Sequence, residues 1–91
     1  SDSYHISVAL KYEKGINKAP VITAKGADLM SAHIRQLAIE SEVAVRIDEN
    51  LARSLFGCNI KEEIPEEFYE KVADILKWVY SSPTEKMLVK V

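Results

Sequence analysis

APVITAKGADLMSAHIRQLAI, residues 19–39, decides the fold. Val21, Ile22, Thr23 and Ala24 form a short apolar, β-branched run of strand length. Pro20 opens it, at a strand position where a missing N–H donor is tolerated. Lys25-Gly26 then reads as a break, with Gly26 free to take the positive φ of a tight turn. Asp28 is suited to cap a helix N-terminus, where its carboxylate can accept from unpaired amides and complement the positive end. Met30, Ile34, Leu37 and Ala38 follow at i, i+4, i+7 and i+8, one face of an amphipathic helix. The stretch is therefore a strand, a turn and a helix, and the rest of the chain packs on that unit.

On the N-terminal side, Ile6, Val8 and Leu10 alternate with Ser7, Ala9 and Lys11, the period of a half-buried strand ending near Tyr12. Residues 13–18 read as a polar loop, of a length that suits a hairpin or a short crossing between neighbouring strands. On the C-terminal side, Val43, Val45 and Ile47 predict a third strand with one apolar face. A helix between the second and third strands predicts that they run parallel, joined by a right-handed crossover. Asp48 caps a short helix with Leu51, Ala52, Leu55 and Phe56 on its inner side, and Gly57 closes it as a C′ residue. Residues 58–60 suggest a very short edge strand. Pro65 suits the first position of a last helix with Glu66 and Glu67 in its acidic first turn. Phe68, Val72, Ile75, Leu76 and Val79 form the clearest helical stripe in the sequence, which Ser81-Ser82-Pro83 ends. The expectation is a single α/β domain over residues 1–82, a small mixed β-sheet of three to four strands surrounded by helices. Residues 83–91 form a tail of unassigned structure.

Bulk properties narrow the function. The chain has 91 residues, 47% of them hydrophobic, enough for one globular domain with a modest core. A formal charge of −2 with no lysine- and arginine-rich cluster argues against nucleic-acid binding. No apolar run is long enough to cross a bilayer, so this segment is not expected to insert directly into a membrane. No secretory signal opens the chain, and the single cysteine, Cys58, has no internal disulfide partner. A reducing cytoplasm is the expected compartment.

Chemistry-bearing patterns are weak. The strand-Lys-Gly-helix turn resembles a phosphate cradle, but it has one glycine, and Asp28 puts a negative charge where a phosphate would sit. An ordinary strand-to-helix turn accounts for it better. His5, His33 and Cys58 lack zinc-like spacing, so no metal and no cofactor are expected. His33 falls on the rim or solvent side of its helix, and Cys58 reads as a small buried hydrophobe. Glu62-Glu63 and Glu66-Glu67 read as a solvated helix start rather than a cation site. Trp78 and Tyr80 are candidate partner anchors, although core or boundary packing accounts for such aromatics better. A small enzyme or nucleotide-binding domain remains the alternative, because an α/β scaffold by itself excludes neither.

One ordered set of motifs goes further: VALKY at 8–12, Ala19-Pro20, AKGADLM at 24–30, Ile34-Arg35, LAR at 51–53 and EIPEEFYEKVADILKWVY at 63–80. At these spacings the chain resembles the cytoplasmic domain of the FlhB/YscU export-switch family of flagellar and virulence type III secretion. The resemblance covers about residues 2–80 and implies a non-catalytic interaction module for substrate docking or specificity switching. Its partners would be export apparatus proteins, exported substrates and a substrate-length sensor. Its place would be the cytoplasm, or the cytoplasmic face of the inner membrane, either as a stand-alone, cleavage-deficient paralogue or as the soluble tail of a longer protein.

Members of that family usually carry Asn-Pro-Thr-His before the first strand and cleave themselves between Asn and Pro. The Asn side-chain nitrogen attacks its own carbonyl carbon, giving a succinimide and releasing the downstream chain. Asp2, Ser3, Tyr4 and His5 stand at those positions here, and of the motif only the histidine is kept. Asp2 has no amide nitrogen and Ser3 supplies no Asn-Pro peptide, so Asn-type self-cleavage is not expected. The resemblance also implies a small apolar pocket that receives a short hydrophobic segment near the N-terminus of export substrates. Its matching positions are Ala19, Pro20, Ala73 and Leu76, all of the family's residue type. Plain core packing is the competing account of those four residues. Glu49 and Asn50 stand where the family often has two prolines, and His33 where it commonly has arginine.

Overall fold

A computed structural model of the chain describes residues 5–13, 15–79 and 86–90. These form a four-stranded mixed sheet, β1 (Ile6–Lys11), β2 (Val21–Ala27), β3 (Ala44–Ile47) and β4 (Lys86–Lys90), in the order β2-β1-β4-β3. Three α-helices accompany it: α1 (Leu29–Glu40), α2 (Glu49–Phe56) and α3 (Tyr69–Val79). The expected α/β class with a small mixed sheet is borne out.

β1 is an inner strand, covered on both faces, which explains its pattern. Ile6, Val8 and Leu10 point into the main core with Ile22, Leu51, Ala52, Leu55, Ile64, Val72 and Ile75. The predicted alternation is thus correct, but Ser7 on the other face is just as buried. Its hydroxyl lies 2.6 Å from that of Ser31 on α1, so each satisfies the other. The main core lies under α2 and α3, and α1 covers the opposite face.

The break predicted at Lys25-Gly26 is absent, because β2 runs on through both residues to Ala27. A register shift between Ala9 and Leu10 leaves Thr23 as the extra residue on β2. The bulge lets Ile22 pair with Leu10 on the core face while Lys25 pairs with Val8 on that same face. Gly26 faces α1. A Cβ there would meet Met30 Cγ and Cβ (2.9 Å) and lie 3.0 Å from Ile34 Cδ1. The glycine is therefore required by close approach of helix to strand, not by a turn. Asp28 likewise does not cap α1 with its side chain. It takes φ 53°, and its backbone N–H donates to the His5 carbonyl at 2.7 Å.

The predicted inner face of α1 is also displaced. Its buried residues are Ser31 and Ala38, with Ile34 half-buried, whereas Met30 and Leu37 lie at the margin of the contact and are about half exposed. Small residues on the sheet, Ser7, Ala9, Ala24 and Gly26, let α1 come close, with Ser31 against Ser7 and the side chains of Met30 and Ile34 over Gly26. Bulky side chains are consequently pushed to the edges, and Leu29 is 89% exposed.

β2 and β3 point the same way, since both follow from pairings through β1 and β4, but they are the two outer strands and never meet. The predicted parallel direction is therefore correct, with β1 and β4 standing between the two strands. β3 being an edge strand, its apolar alternation is only half used, and Ile47 is 69% exposed. Asp48 caps α2 as expected, Oδ1 accepting from the Leu51 N–H at 3.1 Å. Gly57 follows with φ −76°, so it is not the left-handed C′ residue predicted. Residues 58–60 form a turn rather than an edge strand, and the sheet contact is made later, by Glu63 bridging to Val21. Pro65 precedes a single 3-10 turn, Glu66–Phe68, which leads into α3 and holds the two glutamates. Residues 81–83, named as the end of α3, lie outside the described residues, and the unassigned C-terminal stretch supplies β4.

Candidate functional site

The segment between α2 and α3 fastens the start of β2. The Ile64 N–H donates to the Pro20 carbonyl at 2.8 Å, the Ile22 N–H to the Glu62 carbonyl at 3.0 Å, and the Lys61 N–H to the Ile22 carbonyl at 2.7 Å. Glu63 Oε2 accepts from the Lys18 N–H at 2.9 Å. These bonds cover the outer edge of β2, which would otherwise offer unpaired groups. They also fix where α3 begins, and so bring its first turns beside Ala19 and Pro20.

Where the two meet there is an open pocket of about 370 Å³, lined by Ala19, Pro20, Ala73 and Leu76 together with Tyr12, Lys18, Tyr69, Val72 and Lys77. All four positions singled out from the sequence thus share one pocket. They are not equivalent. Ala19 (2% exposed) belongs to the main core and Pro20 is buried, so these two form the floor. Ala73 is exposed and Leu76 half-buried, so these two form the accessible wall. Core packing and pocket lining therefore divide the set between them.

The other lining residues were not singled out from the sequence. Tyr69, Ala73 and Lys77 recur every four residues along α3, with Val72 and Leu76 beside them. That spacing could have found them, but the longer stripe of Phe68, Val72, Ile75 and Leu76 on the same helix masks it. Alanine at 73, between Tyr69 and Lys77, leaves the depression that a larger residue would fill. Among the described residues no carboxylate, histidine or thiol lines the pocket, and its polar groups are the phenols of Tyr12 and Tyr69 and the amines of Lys18 and Lys77. Its surface suits an aliphatic side chain, worth about 1.5–3 kcal/mol when fully buried.

The remaining candidates do not assemble. His5 and His33 are exposed, and among the described residues there is no group of His, Cys, Asp or Glu able to hold a metal ion. Cys58 sits at the end of α2. Burial pushes its thiol up from 9.0, Lys25 pulls it back, and Glu67 and Glu62 add to the rise. The neutral thiol is therefore favoured, and a neutral thiol is a poor nucleophile. Lys25 plays a structural part, in which Nζ donates to the Phe56 and Cys58 carbonyls at 2.9 and 2.6 Å and satisfies acceptors at the α2 C-terminus. With Lys25 and Gly26 inside β2, no phosphate cradle exists at α1. Asp2, Ser3, Tyr4 and Tyr80, and the side chain of Trp78, lie outside the described residues.

A second depression, of about 310 Å³, lies between α1 and the sheet, with Ala24, Ile34, Leu37 and Val43 among its lining. Nothing in the sequence pointed to it, because it arises from the displaced face of α1.

Comparison with known proteins agrees with this architecture. Over residues 2–79 the chain matches the model of the FlhB HrpN YscU SpaS family. It is 39% identical over 79 residues to the flagellar biosynthetic protein FlhB of Bacillus subtilis, covering 86% of this chain and 22% of that protein. It is also 39% identical over 77 residues to FlhB of Escherichia coli, covering 84% and 20%. The chain thus spans about a fifth of the length of these relatives. Among solved structures, the PscU C-terminal domain superposes with a TM-score of 0.79 at 28% identity, covering 82% of this chain and 96% of that one. A mutated EscU/SpaS C-terminal domain gives 0.81 at 30% identity, covering 88% and 98%. With motifs, fold and relatives in agreement, the chain belongs to the FlhB HrpN YscU SpaS family.

Proposed function

We propose that this domain is a non-catalytic docking module of a flagellar or type III protein export apparatus. Its pocket receives a short hydrophobic segment near the N-terminus of an exported substrate. The observation that carries this reading is the convergence of Ala19, Pro20, Ala73 and Leu76 on one pocket that is apolar at its floor and open at Ala73. One buried aliphatic side chain gives about 1.5–3 kcal/mol, short of the roughly 4 kcal/mol of even millimolar affinity. Capture through this pocket is therefore weak and reversible, as a step that must hand the substrate onward requires.

Self-cleavage of the Asn-Pro type is not part of this role. Asp2 has no side-chain amide nitrogen to close a succinimide on its own carbonyl, and Ser3 removes the Asn-Pro peptide. The export apparatus and its cytoplasmic side are the setting that family membership supports, and a substrate-length sensor is a further partner under the same reading.

Nuclear magnetic resonance titration tests it, using the folded chain and tiled synthetic peptides from the N-terminal segment of an exported flagellar subunit. Shifts should gather on the amides of Tyr12, Ala19, Tyr69, Ala73 and Leu76. Shifts confined to α1 and Val43, or none with any peptide, would overturn the reading.

A further inference from the structure

The stretch shared with the family ends at residue 79, whereas β4 comprises Lys86–Lys90. A strand beyond the shared stretch would be expected at the margin of the sheet. β4 is instead an inner strand, between β1 and β3. It pairs antiparallel with β1 from Ser7↔Lys90 to Lys11↔Lys86, and parallel with β3 from Ala44↔Met87 to Ile47↔Lys90. Among the described residues there is no ladder between β1 and β3, and β3 joins the sheet through the β4 backbone.

Without β4, a β1–β2 hairpin would stand on one side and β3 on the other. The gap between them is two strand spacings wide, about 10 Å. Its two walls each present a row of N–H and C=O groups. Its β1 wall carries the buried Val8 and Leu10, where an unpaired backbone group is costly. The walls, residues 6–11 and 44–47, all lie within the family-shared stretch. A protein that shares only that stretch must fill the gap with another segment. The two FlhB relatives have ample chain for this, since the match takes up only 22% and 20% of their length.

We propose that residues 2–79 build a strand-acceptor slot between β1 and β3, and that the C-terminal segment of this chain fills it in cis as a separable insert. The occupant the slot takes is defined by backbone chemistry. It is an extended five-residue segment without proline, antiparallel to β1 and parallel to β3. KMLVK at 86–90 meets these terms, with a central apolar Met-Leu-Val run of strand type. The slot shares no residue with the docking pocket.

The test uses the full chain with a protease site introduced between Ser82 and Pro83. After cleavage, native mass spectrometry reads whether the C-terminal fragment stays bound, and hydrogen exchange reads the amides of Val8, Leu10 and Val45. The fragment should stay, and a labelled peptide of residues 84–91 should replace it in the cut protein but not in the intact one. The same peptide carrying Leu88→Pro should bind at least about tenfold more weakly, since proline within an inner strand removes a ladder bond. Washing the fragment out should raise exchange at the three amides at least about tenfold, and peptide should restore protection. If the cut protein unfolds on losing the fragment, peptide should refold it, and failure to do so overturns the proposal. It is equally overturned if the fragment leaves without changing exchange, if the proline peptide binds as well, or if the intact chain dimerises by exchanging β4.

Discussion

Gly26→Ala separates a turn glycine from a packing glycine. Gly26 sits in extended β2, so alanine meets no backbone strain there. The cost comes from space. The new methyl would lie 2.9 Å from Met30 Cβ and 3.0 Å from Ile34 Cδ1. The terminal carbon of Ile34 can swing away, but Met30 Cβ is fixed to the α1 backbone, so helix and strand must separate by a few tenths of an ångström. Overpacking of this kind costs about 1–3 kcal/mol. The stiffer unfolded chain returns about 0.4–1 kcal/mol. The net loss should be about 1–2 kcal/mol, a drop of roughly 4–15 °C in Tm for a domain of this size. Urea denaturation should show a lower midpoint with an unchanged slope. Met30→Ala should lessen the penalty without abolishing it, because the Cβ contact remains. Gly15→Ala is the control: φ there is +88° with nothing within 4 Å, so any cost is conformational and indifferent to residue 30. Gly26→Ala at or above wild-type stability would refute the close helix–strand contact on which the placement of α1 rests.

Three further outcomes follow from the α2 region. Lys25→Met should cost about 1.5–3 kcal/mol, because two carbonyls at the α2 C-terminus lose a charged donor, and Lys25→Arg should recover part of it in thermal melts. Alkylation of Cys58 followed against pH should have its midpoint above 9.0, and Lys25→Met should move it further up by removing the one charge that lowers it. The sign for stability follows: folding favours the neutral thiol, so this contribution is complete below pH 9.0 and is lost as pH rises through the higher folded value. Asp48→Ala should cost about 1 kcal/mol through loss of the bond to the Leu51 N–H, seen as a lower urea midpoint.

Much of the fold is legible where one periodicity dominates. The alternation of Ile6, Val8 and Leu10, the Asp48 cap and the α3 stripe each specify an element without help from distant residues. Legibility fails where a residue answers to a tertiary contact. Lys25-Gly26 reads as punctuation, yet the lysine serves the end of α2 and the glycine makes room for α1. Met30 and Leu37 read as the inner face of α1, but the close approach allowed by Ser7, Ser31 and Gly26 turns the helix so that both stay about half exposed. The parallel direction of β2 and β3 is legible from the helix between them, but local pattern carries no sign that β1 and β4 intervene. The four pocket residues are recognisable only through family resemblance, since two alanines, a proline and a leucine carry no chemical signal. Their convergence depends on the hydrogen bonds of Lys61, Glu62 and Ile64, which hold the start of β2 against α3.

The central claim is docking at the pocket, and Ala73→Asp tests it most directly. Residue 73 is exposed on α3, so aspartate there costs the fold only about 0.5 kcal/mol in helix propensity. It nevertheless puts a charge on the accessible wall of an apolar pocket. Calorimetric titration of wild type and variant with the substrate N-terminal peptide that shifts the pocket amides, alongside matched thermal melts, gives the comparison. The variant should keep its melting transition and lose at least about tenfold in affinity, since tenfold is about 1.4 kcal/mol and a displaced aliphatic side chain forfeits about 1.5–3 kcal/mol. Unchanged affinity in a variant that melts like wild type would contradict docking at Ala19, Pro20, Ala73 and Leu76.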